Sequence, residues 1–310
     1  MTQLRERLSR AGTVVRKYFA PLTLMVGVVV CVLGLREMLT HQTAAIHLDL
    51  ADIVLAAGAA LASTVCAAFA WRAMLFGISG YRISAFEALA QLGLILVGKY
   101  APGKISGLAA RVVVNKPGVS AHAAIAASLL EQFGAMAAAA LIGVCAYGYD
   151  EFPAGVAGIA IAAACIWWIS PLPIQWGIRR WHLISRRDDL FSLDAGAVRT
   201  AFAWQVLQWL VLTILVSAVA GMVMEHADYH ELLHVAGAYG IAVVAGQLTF
   251  LFPGGIGPRE GVFVWLVSAT VGTSGALAMA LVLRIATTAI DLATGLAYVA
   301  RRFTTRRERQ

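Results

Sequence analysis

Residues 94–111 read LILVGKYAPGKISGLAAR, an apolar run in which Pro102 and Gly103 interrupt a helix and Lys99, Lys104 and Arg111 carry positive charge. Proline removes a backbone donor and clashes with the preceding turn, and glycine weakens a helix, so the run divides into two short limbs. Residues 248–260, LTFLFPGGIGPRE, repeat the plan. There Pro253-Gly254-Gly255-Ile256 answers Pro102-Gly103-Lys104-Ile105, with Arg259 and Glu260 beyond the break. Two such breaks in corresponding halves of a membrane protein point to a binding site between them.

The chain around these breaks belongs in a bilayer. Its 310 residues are 60% hydrophobic and 13% charged, with a mean hydropathy of +0.77, which is the composition of an integral membrane protein. At about 20 residues per span, one membrane domain consumes the length and leaves no room for a soluble catalytic domain. The net charge of +7 is read as a topology signal, because lysine and arginine gather on cytoplasmic loops. A nucleic-acid partner would need a contiguous basic face, and none is expected. Cys31, Cys66, Cys145 and Cys165 stand singly in apolar runs, as core residues rather than disulfides or metal ligands. No cofactor is implied, and no nucleotide-binding loop supports direct ATP-driven pumping.

Loop charges orient the spans. Residues 1–18 form a basic interfacial segment, and Phe19 to Leu35 is a retained first span rather than a cleaved signal. Span two, about Ile53 to Phe76, ends beside Arg72 and Arg82. The first broken element follows, with both ends near cations, and enters from the cytoplasmic side. Span three covers about Ala121 to Tyr147, and the acidic turn at Asp150 and Glu151 lies outside. Span four, Ala154 to Ile169, returns to a loop with Arg179, Arg180, Arg186, Arg187 and Arg199. Span five, about Ala201 to Met224, goes out to Glu225, Asp228 and Glu231. The last span, about Ala276 to Ala300, ends in the basic cytoplasmic tail 301–310. Between them the second broken element enters from outside, either as a hairpin or as a full span with a short return.

Span, broken element, span thus occurs twice with opposite orientation, in 50–148 and in 199–300. The expected fold is a single all-α polytopic membrane domain over 1–310, with about six full spans and two oppositely oriented re-entrant elements forming an inverted repeat. Both termini are cytoplasmic.

The sequence resembles the transmembrane, flippase-like region of the lysylphosphatidylglycerol synthases, as a stand-alone member. The likeness is carried by Gly98-Lys99-Tyr100-Ala101-Pro102-Gly103-Lys104-Ile105 with Arg111, Gly118-Val119-Ser120, Leu129-Leu130-Glu131, Phe252-Pro253-Gly254-Gly255-Ile256-Gly257 with Glu260, and Arg284. It implies a bacterial inner-membrane protein that moves an anionic lipid: a phospholipid, a hopanoid-related lipid or a polyprenyl-phosphate-linked sugar. It also implies a lipid-modifying enzyme or glycosyltransferase as a partner, and leaves self-association open. The aminoacyl-transfer domain of the full synthases is absent from the 310 residues, so this chain alone is not expected to lysylate a lipid. Gln132 stands where the family often carries arginine.

A phosphate head group in a bilayer needs cations and free N–H donors, which broken helices and their dipole ends supply. Lys99, Tyr100, Pro102, Gly103, Lys104, Arg111, Pro253, Gly254, Gly255, Arg259 and Glu260 are the expected head-group residues. Glu131, Arg284 and Asp291 fall inside spans, where charge is costly and finds a partner or a function. Glu131 and Arg284 are expected to pair with each other, or a carboxylate, Glu131 or Asp291, couples transport to protons. Arg284 and Asp291 lie two turns apart on one helix face.

One competing motif is His230-Glu231-Leu232-Leu233-His234, with His226 a turn earlier. On a helix, HExxH sets His230 and His234 on one face for zinc, with Glu231 as general base, the plan of an intramembrane metalloprotease. The motif sits at the external edge of a span, where acidic and histidine residues commonly form a solvated cap. A transporter rather than an enzyme is therefore expected. A non-transporting membrane partner of a lipid-modifying enzyme is the third alternative.

Overall fold

The computed structural model describes residues 49–98, 111–112, 119–148, 176, 194–224, 227–249, 255 and 257–307. The basic segment 1–18, spans one and four, and most of the first break lie outside these residues. Six helices are described: α1 (Leu50–Ser79), α2 (Ala85–Gly98), α3 (Ala121–Tyr147), α4 (Ala195–Gly221), α5 (Tyr229–Leu248) and α6 (Pro258–Arg307). No strand occurs among the described residues.

α1, α3, α4 and α5 each start where a short polar side chain precedes an apolar run. Asp49 accepts from the Ala51 amide at 3.1 Å, Ser120 from Ala123 at 3.1 Å, and Asp194 from Ala197 at 3.1 Å. Such caps satisfy amides that a helix start leaves without partners. At α5 the cap is reciprocal: Asp228 Oδ1 accepts from Glu231 N at 2.8 Å and Glu231 Oε2 accepts from Asp228 N at 3.1 Å. α1 stops at Gly80, whose φ of 68° lets its amide reach the Phe76 carbonyl.

Among the described residues, five helices are long and apolar enough to cross a membrane. The chain is therefore an all-α multi-pass membrane protein. α2, with 14 residues, rises about 21 Å over its described length, against a hydrocarbon core of about 30 Å. α5, with 20 residues, matches that core by length. The limb after the second break differs again: α6 is bent at Gly272 (φ 73°, ψ 160°), which separates 258–271 from 273–307. The first limb is too short to cross alone.

Three boundaries differ from expectation. Arg199 lies inside α4 rather than in a loop, because Asp194 caps the helix a turn earlier. The last helix begins directly after Gly272 rather than at Ala276, and it continues through the basic tail to Arg307.

Packing joins the two halves of the chain. α1 and α4 lie antiparallel: the Asp194 amide donates to the Gly77 carbonyl at 2.9 Å at one end, and Gly221 faces Asp52 at the other. α2 packs on α6, and α5 packs on α3. Gly93 stands eight residues after Ala85 in α2, and Gly237 eight after Tyr229 in α5. A Cβ at Gly93 would sit 2.5 Å from the Thr294 carbonyl oxygen, and one at Gly237 would sit 2.7 Å from that of Gly143. Each short helix thus uses a glycine at the same register to bring its backbone against the last span of the opposite half.

Candidate functional site

Two clusters of charge are built beside the two breaks. In the first, Arg111 follows the break and has no exposed surface. Its Nη1 lies 2.6 Å from Glu131 Oε2 and 3.4 Å from Ser128 Oγ. Ser128 and Glu131 are three residues apart on α3, so helical periodicity presents both to one point. The guanidinium carbon sits 3.6 Å from the centroid of the Trp71 ring on α1, close enough for a cation–π contact. Trp71 Nε1 donates to Gln91 Oε1 of α2 at 2.9 Å, which fixes the ring. On the far side, Gln205 Nε2 of α4 donates to the Glu131 carbonyl at 2.8 Å. Gly134 makes room for it, since a Cβ there would overlap the Gln205 carboxamide.

Four helices therefore converge on one ion pair. Arg111 spends only Nη1 on Glu131 and Ser128. Its Nε and Nη2 are buried without a hydrogen-bond partner among the described residues. Those two N–H groups form the parallel edge with which arginine grips a carboxylate or phosphate in bidentate fashion.

In the second cluster, Arg259 and Glu260 occupy the first turn of α6. Glu260 Oε2 accepts from the Gly257 amide at 2.8 Å. Its Oε1 accepts from Arg259 Nε at 3.1 Å and from Arg284 Nη1, on the long limb of the same helix, at 3.3 Å. The Arg259 guanidinium carbon lies 5.7 Å from the Tyr239 ring centroid of α5. Gly246 and Gly255 let the chain pass closely here: Gly255 has φ of 69°, and a Cβ on it would sit 3.1 Å from the Gly246 carbonyl. Tyr239, Arg259, Glu260, Phe263, Ala280 and Leu283 line a small recess at this point. The Glu260 side chain is 25% exposed, against 14% for Glu131 and none for Arg111.

The expected pairing of Glu131 with Arg284 is corrected. Glu131 pairs with Arg111 and Arg284 with Glu260, each within its own half. Asp291 is buried on α6, two turns beyond Arg284. Gly255, Arg259 and Glu260 are brought together, whereas Lys99, Tyr100, Pro102, Gly103, Lys104, Pro253 and Gly254 lie outside the described residues. In the HExxH stretch, the Glu231 carboxylate is engaged as the helix cap. The His234 ring lies against Tyr147 at 4.1 Å between centroids, and His230 is exposed beside Tyr229.

Trp71, Gln91, Ser128, Gln205 and Tyr239 were not expected in these clusters. Gln91 and Gln205 carried a signal, being carboxamides within apolar spans, where polar groups need partners. The remaining three had no such mark.

The family model of the lysylphosphatidylglycerol synthase TM region matches residues 18–295. No curated protein matches the chain, and no solved structure matches it.

Proposed function

The chain belongs to the lysylphosphatidylglycerol synthase TM-region family, and we propose on that premise that it is a flippase-type translocator of a lipid with an anionic head group. The single observation that carries this reading is the pair of charge clusters, Arg111–Glu131 and Arg259–Glu260–Arg284, each beside a helix break inside an apolar bundle. An ionisable side chain at bilayer depth costs on the order of 2.5–3.5 kcal/mol by insertion scales, a penalty accepted mainly where charge serves transport or binding. Head-group binding falls to Arg111, Arg259 and Glu260 with the break residues Lys99, Tyr100, Pro102, Gly103, Lys104, Pro253, Gly254 and Gly255. The lipid tails run along the apolar helix faces.

An inverted repeat of 50–148 and 199–300 fits the packing. α1 and α4 occupy equivalent places and run antiparallel. α2 and α5 place glycines of equal register on the opposite half's last span. The charges occupy equivalent places with signs reversed: the last span gives the anion Glu131 in one half and the cation Arg284 in the other. Tilting one half against the other would open the shared region to either face. The basic tail and the argininyl loops favour cytoplasmic termini in an inner membrane.

Native mass spectrometry of the chain extracted in mild detergent tests the reading. An anionic lipid retained well above its share of the membrane is the expected result. A retained population with the bulk membrane composition, zwitterionic lipids included, would overturn it.

A further inference from the structure

Arg111 has no exposed surface, and three of its five N–H donors, one on Nε and two on Nη2, are without a partner among the described residues. Burying a guanidinium with donors unpaired is costly, because each forfeits its hydration for nothing. Trp71 closes one face of the guanidinium plane, and Nη1 is occupied. The edge left without a hydrogen-bond partner among the described residues is Nε with Nη2, whose two parallel hydrogens match two oxygens of one phosphate.

The same cation is the only ion-pair partner of Glu131 among the described residues. Other titratable side chains on the helices packed against α3 are Asp52, Cys66 and Arg72 on α1, Arg199 on α4, and Tyr229, His230, Glu231, His234 and Tyr239 on α5. None of them pairs or hydrogen-bonds with the Glu131 carboxylate. Arg111 and Glu131 together are neutral. A phosphate monoanion arriving at Arg111 would leave the buried site with one net negative charge, which a low-dielectric interior strongly disfavours. One proton on Glu131 restores neutrality.

We propose that the phosphate of the transported lipid takes the side-on edge of Arg111 while Glu131 takes up one proton, so that anion and proton occupy the site together. This rests on the lipid reading above and supplies its coupling. Glu131 binds a proton from the aqueous side on which the site opens and returns it when the phosphate leaves. One anion and one proton then cross per cycle, without net charge movement.

Titration calorimetry of the full chain in detergent tests it, with dioctanoyl phosphatidylglycerol as probe in two buffers of different ionisation enthalpy. Dioctanoyl phosphatidylcholine and inorganic phosphate serve as comparisons. The expected result is close to one proton taken up per phosphatidylglycerol bound, with affinity rising as pH falls. Glu131→Gln mimics the protonated state, so it should bind more tightly, without proton uptake and without pH dependence. The double variant Arg111→Gln/Glu131→Gln keeps the site neutral and should bind about tenfold or more weakly. Phosphatidylglycerol binding without proton uptake would overturn the exchange and leave the lipid reading standing. Inorganic phosphate binding as tightly as the lipid would overturn the lipid as ligand. Failure of the unmodified chain to bind any probe would overturn both.

Discussion

The two halves of this protein solve one problem with opposite choices. Beside the first break, Arg111 is sealed between Trp71, Ser128 and Glu131 and touches no solvent. Beside the second, Glu260 is shared by two arginines and keeps a quarter of its side chain exposed. In one half the break supplies the cation and the last span the anion; in the other the roles are exchanged. The difference teaches that the layout, a charge after the break facing its opposite on the last span, is repeated while the charge sign is not. It also shows one site closed while its counterpart is partly exposed.

The contrast is broken most severely at the closed site. Glu131→Ala leaves a fully buried cation without its partner and should cost about 3–5 kcal/mol. It would appear as a large fall in the unfolding midpoint of the purified protein. Gly237→Ala and Gly93→Ala test whether the halves are held alike. Each places a methyl group onto backbone of the opposite half, so both should destabilise by about 1–3 kcal/mol, as overpacked sites do. Gly58→Ala, where nothing lies within 4 Å of the added carbon, should be neutral or stabilise by up to about 1 kcal/mol. Unequal behaviour of Gly93 and Gly237 would argue against equivalent packing.

The open site should respond more weakly. Glu260→Ala should cost about 1–2 kcal/mol, between the values for exposed and buried pairs. A loss as large as that at Glu131 would mean that the second site is as closed as the first. The smallest expected effect is at the end of α5, where Glu231→Ala removes half of a capping box for about 0.5–1 kcal/mol. Loss of a catalytic activity there, rather than slight fraying in hydrogen exchange, would revive the zinc alternative.

Much of this architecture is legible in residue order. The helix starts follow from Asp49, Ser120, Asp194 and Asp228 ahead of apolar runs, and the second break from Pro253 and the glycines after it. Glu131 and Arg284 stand out as charges within spans. Their partners do not, because linear order gives no distance across a bundle, and three charges within spans with three more beside the breaks permit several pairings. Equivalence between halves could have resolved the choice, since a pair made within one half implies its counterpart in the other. Trp71 was hidden by its ordinariness, one aromatic in a helix rich in apolar residues. Gly272 was hidden because a glycine among helix formers signals tolerance as readily as a bend.

Translocation itself tests the central claim most directly. In phosphatidylcholine vesicles carrying trace fluorescent phosphatidylglycerol on both leaflets, dithionite quenches the outer label, and flipping exposes the rest. Vesicles containing the unmodified chain should lose the protected half much faster than empty vesicles, and much faster than with fluorescent phosphatidylcholine. Arg111→Gln/Glu131→Gln should slow that loss toward the empty-vesicle rate. Equal rates with and without the protein, or equal rates for the anionic and zwitterionic probes, would contradict the account.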